Sequence, residues 1–327
     1  MVDNTGFFRL RIRLHAILLG AGVAACAATV LGFLGPFWWL FDLFSHFRVQ
    51  YILGLGALAV IFLFHRQWRT AAAFLAFAAA NLIPVLPLYF GGTAPPAPNS
   101  KIWRAMLINV NAHSGDPARI RQAVEQADPD ILVLEEISAR WVSDLSWLCA
   151  THPYCVIEPR EDNFGIALFS KLPLVRSRTT IIGSAEVPSI LATAQVDGRE
   201  LGIMATHPLP PAGAEYSRWR NEQLDLMPKH VDASGPFLLL GDLNTTPWNH
   251  YFRRLLDKAG LLDSSRGRGI QPTWPSFAPL LPIPIDHVLH SPSVSVLQKA
   301  VGPDVGSDHF PVAMDFQITG TPAEGAR

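Results

Sequence analysis

Residues 236–247 read PFLLLGDLNTTP, an uncharged apolar run that stops at an aspartate and an asparagine. The run 236–240 is short, apolar and followed by glycine, a pattern typical of a buried strand. Asp242 and Asn244 therefore lie where a strand of the interior ends. Taken alone they have an ordinary interpretation, because Asp and Asn after a strand commonly form a turn or cap the next helix.

The same arrangement recurs at five other predicted strands. The polar groups are Asn109 and Asn111 after AMLI, Glu135 and Glu136 after ILVL, His207 after LGIMAT, Asp286 and His287 within IPIDHVL, and Asp308 and His309 before PVAM. Six strand ends of this kind in one chain argue against six separate turns. They indicate one shared site at the rim of the sheets.

From residue 101 to 318 the strands alternate with helices and include several hairpins. This pattern favours a layered α/β domain over a simple doubly wound sheet. The ordered pieces LINVN, PDILVLEE, THP, GDLNTTPW, IDHVL and GSDHFPV resemble the signature of the endonuclease/exonuclease/phosphatase superfamily. THPLPP and TWP, behind a hydrophobic N-terminal region, resemble its bacterial membrane-anchored subgroup. The resemblance implies a four-layer α/β sandwich, with two packed mixed β-sheets flanked by helices, and metal-dependent hydrolysis of phosphoesters.

The resemblance also implies a metal centre. Glu136 would be the main ligand, with Asn109 beside it and Asp308 contributing directly or through water. Carboxylate, amide and water oxygens suit Mg²⁺, with Mn²⁺ as the alternative. From the residues alone Glu135 is the alternative ligand, because strand alternation turns only one of the two glutamates inward; the resemblance implies that this one is Glu136.

The catalytic roles are carried over in the same way. Asp242 would orient or deprotonate the attacking water, and Asn244 would hold a phosphate oxygen. His207 would donate to the developing negative charge, while Asp286 would fix His309 by a hydrogen bond. Whether Asp242 or His309 is the general base stays open at this point.

The first 90 residues predict a membrane anchor. They contain three apolar segments, 14–41, 49–64 and 70–90, which predict three transmembrane helices. Residues 91–100, GGTAPPAPNS, predict a linker, and residues 319–327 a disordered tail. The lipid bilayer is therefore an expected partner, whereas the sequence indicates no particular protein partner.

Arginine positions predict the orientation of the anchor. One cluster, Arg9, Arg11 and Arg13, precedes the first segment, and Arg66 and Arg69 lie between the second and third. The positive-inside rule then predicts a multi-pass protein of the bacterial inner membrane with a periplasmic catalytic domain. If 49–64 does not span, the domain stays in the cytoplasm. Two cysteines, Cys149 and Cys155, either pair in an oxidising compartment or remain free.

Charge bears on the substrate. Residues 101–327 carry 20 Lys and Arg against 25 Asp and Glu, which argues against tight duplex binding. Basic residues such as Arg218 and Arg220 could still form a local basic surface, although scattered solvated surface charge is the default interpretation. We expect phosphodiester bonds of nucleic acids or nucleotides as the substrate, with phospholipids or small molecules as the alternative. Trp248, Trp274 and Phe277 would either contact an apolar part of a substrate or pack in the core. A non-catalytic, membrane-tethered binding module is the alternative of another class.

Overall fold

The structure is a computed structural model that describes residues 4–91 and 100–319, with side chains from residue 13 onward. The chain divides into two compact units, Met1–Pro87 and Leu88–Arg327. The predicted linker and tail fall almost wholly outside the described residues, so both stay predictions.

The first unit is helical. Its helices are α1 Asn4–Phe33, α2 Trp39–Ser45, α3 Arg48–Phe64 and α4 Trp68–Val85, with 3₁₀ turns at Gly35–Phe37 and Leu86–Tyr89. Two segments, Arg13–Phe33 and Trp68–Tyr89, are long and apolar enough to cross a membrane. Helices α2 and α3 meet at a bend of 62° and make a third span only if the bent pair counts as one.

The first apolar run is broken before its predicted end at residue 41. Helix α1 ends at Phe33, and Trp38 has an extended backbone with φ −157° and ψ 136°. Pro36 explains the break, because proline lacks an N–H and disfavours helical geometry in the residue before it. The apolar run therefore continues after Phe33 as a turn and the short helix α2.

A buried polar contact joins the helices of this unit. Arg48 is 3 % exposed and donates to Asn81 Oδ1 at 3.2 Å and to Gly32 O at 3.4 Å. Asn81 also donates to Thr29 Oγ1 at 2.8 Å. Arg48, which follows the first apolar segment, is thus a packed residue of α3.

The second unit contains two six-stranded sheets. The strands of the first sheet are β1 Trp103–Asn109, β2 Ile131–Glu135, β3 Tyr154–Glu158, β4 Ile166–Ser170, β11 Val294–Val301 and β12 Val312–Ile318, in the order β11-β12-β1-β2-β4-β3. Strands β1 and β2 are parallel, and their neighbours pair antiparallel. The central strands are therefore flanked on both sides and buried along their length.

The second sheet has a similar plan. Its strands are β5 Leu174–Ile181, β6 Pro188–Val196, β7 Arg199–Thr206, β8 Phe237–Asp242, β9 Leu262–Asp263 and β10 Asp286–His290, in the order β5-β6-β7-β8-β10-β9. Strands β7 and β8 are parallel, and β10 runs antiparallel to β8 with Asp286 opposite Asp242. Each sheet thus has one parallel pair at its centre.

Helices cover the outer faces of both sheets. They are α5 Pro117–Ala127, α6 Ala139–Asp144 and α7 Leu148–Thr151 on the first sheet, and α8 Ala214–Leu226 and α9 His250–Ala259 on the second. Between the sheets lies a third apolar core, in which Val133 and Leu238 are both fully buried. Alternation explains the layers, since Leu132 of the same strand β2 packs in the core under α5 and α6. The predicted four-layer α/β sandwich is confirmed.

Cys149 and Cys155 are free and exposed. Their side chains lie close enough for the Cys149 thiol to raise the pKa of Cys155, after the larger effect of burial. The sequence left open whether the two cysteines pair or remain free, and in the structure both thiols are free.

Candidate active site

The polar strand ends of the two sheets meet at one edge of the sandwich. In the first sheet Asn109 lies opposite Glu135, and in the second Asp242 lies opposite Asp286. Glu135 reaches across to the second sheet and accepts the backbone N–H of Asp242 at 3.0 Å. The carboxyl ends of the parallel strands in both sheets therefore open onto the same site.

Glu136 lies just beyond the end of β2. Its backbone is left-handed, with φ +62°. Its Oε1 accepts Asn109 Nδ2 and its Oε2 accepts the backbone N–H of Ala112, each at 3.1 Å. The alternation argument, which turned only one glutamate inward, is wrong because Glu136 has left the strand. Both carboxyl groups belong to the site: Glu135 beneath Asp242, and Glu136 beside Asn109.

Asp308 is held by two donors. Its Oδ1 accepts Asn111 Nδ2 at 2.6 Å, and its Oδ2 accepts the indole Nε1 of Trp274 at 3.0 Å. Asn111 in turn accepts the backbone N–H groups of His113 and Ser114, each at 3.0 Å. Sequence reasoning assigned no function to Asn111 and left Trp274 as an open alternative. The one sequence feature that could have indicated a function for Asn111 is its position two residues after Asn109.

Asp242 lies between two histidines. Its Oδ2 is 3.6 Å from Nε2 of His207 and 3.7 Å from Nε2 of His309. Its Oδ1 accepts the backbone N–H of Asn244 at 2.9 Å. Asp242 is 2 % exposed, and burial followed by the charge of Asp286 raises its pKa well above the usual range. A carboxylate of raised pKa is a stronger base than one in water.

The two histidines differ in charge. Nδ1 of His309 donates to Asp286 Oδ2 at 2.9 Å. Burial opposes the charged imidazole, yet the carboxylates of Asp286 and Asp242 raise the pKa of His309 to about 10. For His207 the balance is reversed: burial followed by the charge of His309 outweighs the nearby carboxylates and lowers its pKa to about 3. At neutral pH the site therefore offers one imidazolium and one neutral imidazole.

Asn244 is fixed by its neighbours. It has a left-handed backbone with φ +49°, and its Nδ2 donates to Pro208 O at 3.0 Å. Its own carbonyl accepts Nη1 of Arg220 at 2.9 Å. Arg220 is fully buried on α8, so its interpretation as solvated surface charge is wrong. Nothing in the local sequence separates Arg220 from the exposed Arg218, because only the packing of α8 on the sheet buries one of them.

The three aromatic residues noted in the sequence have different environments. Trp248 is 1 % exposed and packs in the interior. Trp274 bonds to Asp308, and its ring centroid lies 6.4 Å from that of His309. Phe277 is 76 % exposed. Only Trp274 and Phe277 can face a bound molecule.

The residues present fit a hard divalent cation. Glu136 and Asp308 are close enough for the charge of Asp308 to raise the pKa of Glu136, after the larger effect of burial. Carboxylates that repel one another gain from a cation between them, and Asn109 adds an amide oxygen. The ligand atoms of Asp242, Asp286 and His309 also lie within 4.8 Å of one another. We favour the set with Glu136, because an imidazolium already bonded to Asp286 has no lone pair for a metal.

Comparison with known proteins agrees with this geometry. The model of the Endonuclease/Exonuclease/phosphatase family matches residues 106–309. No curated protein matches the chain.

Solved structures share the fold. An endonuclease/exonuclease/phosphatase from Beutenbergia cavernae has a TM-score of 0.57 at 23% identity, over 69% of this chain and 74% of that one. D. rerio TDP2, complexed with single strand DNA product, has a TM-score of 0.57 at 17% identity, over 66% and 99%. The human Nocturnin catalytic domain has a TM-score of 0.51 at 19% identity, over 69% and 100%. With strand ends, layers and family match in agreement, the chain belongs to the endonuclease/exonuclease/phosphatase family.

Proposed function

We propose that this protein is a membrane-anchored, divalent-metal-dependent hydrolase of phosphodiester bonds. The observation that supports it is the position of Asp242, whose Oδ2 lies within 4 Å of two imidazole nitrogens in a buried site. A base, a cation and a neutral donor around one point are what attack of water on a phosphate requires.

The metal would be held by Glu136, Asn109 and Asp308. Mg²⁺ is the ion that their oxygen atoms suit, with Mn²⁺ as the alternative. When bound, such an ion neutralises phosphate charge and polarises phosphorus towards attack.

The remaining residues would handle the water and the phosphate oxygens. Asp242 accepts the proton of the attacking water, and Asn244 holds a phosphate oxygen. His309, kept cationic by Asp286, stabilises the negative charge that develops on the phosphoryl group. The pKa of His309 near 10 supports Asp242 as the base, because an imidazolium has no lone pair to accept a proton. His207, neutral at the same pH, donates a hydrogen bond without adding charge.

The helices of the first unit support the proposed membrane location. Arg13–Phe33 and Trp68–Tyr89 support an anchor in the bilayer, and we propose the bacterial membrane-anchored subgroup, the inner membrane and a periplasmic catalytic domain. A compartment reporter fused after residue 318 tests the orientation. Strong cytoplasmic signal would contradict it.

Two substrate classes follow from the proposed chemistry. Nucleic acids or nucleotides are supported by the shared fold with a TDP2 that was solved with single strand DNA product. Phospholipids or other small phosphoesters are the second candidate. A specific observation favours the lipids: the exposed Phe277 lies in an uncharged segment and directly follows Ser276, whose backbone N–H donates to Asp308 O.

The central experiment measures hydrolysis of bis-p-nitrophenyl phosphate by the full chain in detergent. We expect turnover with Mg²⁺ or Mn²⁺ and none with a chelator. Asp242→Ala and His309→Ala should each lower kcat by roughly 10²–10⁴-fold. A folded protein that binds phosphoesters but hydrolyses none with either metal would instead be the non-catalytic binding module.

A further inference from the structure

An apolar segment projects from the rim of the active site. Residues 269–285, GIQPTWPSFAPLLPIPI, contain no charged side chain. At its tip Phe277 is 76 % exposed, Leu280 85 % and Leu281 51 %. Three large apolar side chains exposed together on a short segment indicate a contact surface, whereas single ones are ordinary.

The base of this segment is fixed to the catalytic residues. Trp274 donates its indole N–H to Asp308 Oδ2 at 3.0 Å, and Ser276 donates its backbone N–H to Asp308 O at 2.8 Å. Trp274 and Ile283 form an antiparallel bridge that closes the loop. The base of the exposed tip is therefore hydrogen-bonded to Asp308, a residue proposed to hold the metal.

The backbone of the segment suits a medium with little water. From 275 to 284, four positions are prolines, which have no N–H. Four more donate their N–H within the protein: Ser276 to Asp308 O, Ala278 to Pro275 O, Leu281 to Ala278 O and Ile283 to Trp274 O. Eight of the ten positions thus leave no N–H group to be paired by solvent. Having few unpaired N–H groups lowers the cost of moving this irregular backbone out of water, because an unpaired polar group is costly in an apolar medium.

The segment also begins next to the chain that leaves the apolar helix. Leu88 is the first residue of the second unit, and its carbonyl accepts the N–H of Gly269 at 2.8 Å. Leu88 is at the same time the last but one residue of the apolar segment Trp68–Tyr89. The chain that follows this apolar segment therefore contacts the first residue of 269–285 directly.

We propose that Phe277, Leu280 and Leu281 dip into the interfacial layer of the bilayer, and that the site takes phosphodiesters of lipid head groups presented there. The lipid substrate rests on the proposed function, whereas the bilayer contact does not. A lipid surface fits better than a protein partner, because the tip offers neither charge nor a row of free N–H groups. Leucine and phenylalanine are side chains that commonly insert at the boundary between lipid head groups and acyl chains.

The contact is tested without catalysis. Leu280→Cys, in the full chain with Cys26→Ala, Cys149→Ala and Cys155→Ala, is labelled with an environment-sensitive fluorophore and reconstituted in phosphatidylethanolamine–phosphatidylglycerol vesicles. The control is Val175→Cys, whose side chain is 49 % exposed on β5. This part of β5 pairs with the end of β6, which in turn pairs with the start of β7, and the active site lies at the opposite end of β7. Lipids with a shallow nitroxide should quench the label at 280 at least roughly twofold more than at 175. Equal quenching would overturn the contact, and so would a shielded label that no lipid quenches.

The substrate class is tested with the double variant Leu280→Ser and Leu281→Ser. Hydrolysis of a fluorescent phospholipid in the vesicles should fall by roughly tenfold. Hydrolysis of bis-p-nitrophenyl phosphate in water should stay unchanged, which also shows that the variant is folded. Cleavage of single-stranded DNA but not of phospholipid by the parent would overturn the lipid assignment. If the parent cleaves none of the three while quenching holds, the proposed function fails and the lipid contact stands.

Discussion

Glu135 accepts the backbone N–H of Asp242 with both carboxyl oxygens, at 3.2 and 3.0 Å, although 107 residues separate the two in the chain. The contact joins the two sheets directly beneath the residue proposed as the base. Glu135 is fully buried, and burial followed by the charge of Asp242 raises its pKa well above the usual range. We therefore expect Glu135 to act by positioning Asp242.

Glu135→Gln should keep most of the activity, because the amide oxygen still accepts the N–H of Asp242. Glu135→Ala leaves this buried donor unpaired at a cost of about 1–3 kcal/mol, so we expect kcat to fall roughly 10–100-fold. Steady-state hydrolysis of bis-p-nitrophenyl phosphate at saturating Mg²⁺ measures both. Equal rates for the two variants would show that the contact is not needed.

Glu136→Gln should change the metal requirement. Removing one negative charge from the ligand set weakens the attraction for a divalent cation, so half-saturating Mg²⁺ should rise by roughly 10–100-fold. Glu135→Gln is the matched control, since it changes the same residue type one position earlier. A shift in the control and none in Glu136→Gln would exchange the assignments of the two glutamates.

Asp286→Asn should lower kcat by roughly 10²–10⁴-fold, because an amide no longer holds His309 as a cation in this orientation. The double variant with His309→Gln should be no slower than His309→Gln alone, since both changes remove the same function. Asp257→Asn, on an exposed position of α9, is the control. Additive losses in the double variant would mean that Asp286 acts independently of His309.

Arg220→Ala should lower the free energy of unfolding by about 2–3 kcal/mol, because the carbonyl of Asn244 loses a charged donor in the interior. KM should rise as well, since Asn244 is proposed to hold a phosphate oxygen. Arg218→Ala is the control: its side chain, two residues away on α8, is 70% exposed. Thermal unfolding and kinetics in detergent measure both effects. Variants that behave alike would contradict this function of Arg220.

His287 should make the protein less stable in acid. Its Nε2 donates to Thr245 O at 2.8 Å, and burial is the main cause that lowers its pKa to about 4. An unfolded histidine binds a proton near pH 6.5, so only the unfolded state gains a proton between pH 6.5 and 4. The stability contributed by the neutral imidazole is complete above pH 6.5 and is lost as the pH falls towards 4.

His287→Gln removes this titration and keeps a donor for Thr245. Between pH 7 and 4 the parent should lose about 3 kcal/mol more than the variant. Unfolding by denaturant at several pH values, without metal, measures the difference. Parallel curves for the two proteins would contradict a buried neutral His287.

Much of the fold follows from local pattern. Short apolar runs such as 237–240 and 131–134 predict buried strands, and the polar residues that end them predict a common edge. This works because burial on both faces requires an uninterrupted apolar run, and a polar group is tolerated only where the strand leaves the interior. The pattern itself predicts a layered α/β domain; the four layers are implied by the resemblance of the ordered motifs to a known superfamily.

The details of the site depend on backbone angles and on contacts between distant layers. Glu136 reaches Asn109 because its backbone φ is +62°. Nothing in the neighbouring sequence predicts this left-handed angle. Arg220 is buried and Arg218 exposed because α8 lays only one of them against the sheet.

By itself, then, the sequence determined which residues are buried in strands and which polar groups end them, since burial is written into the period of apolar side chains. Only the tertiary structure decided that Glu135 accepts the backbone N–H of Asp242 and that the base of an apolar tip is hydrogen-bonded to Asp308. It also decided that the pKa of His309 is raised to about 10 while that of His207 is lowered to about 3. Such properties arise from distances between groups far apart in the chain, and the pKa of a buried side chain depends on what packing places beside it.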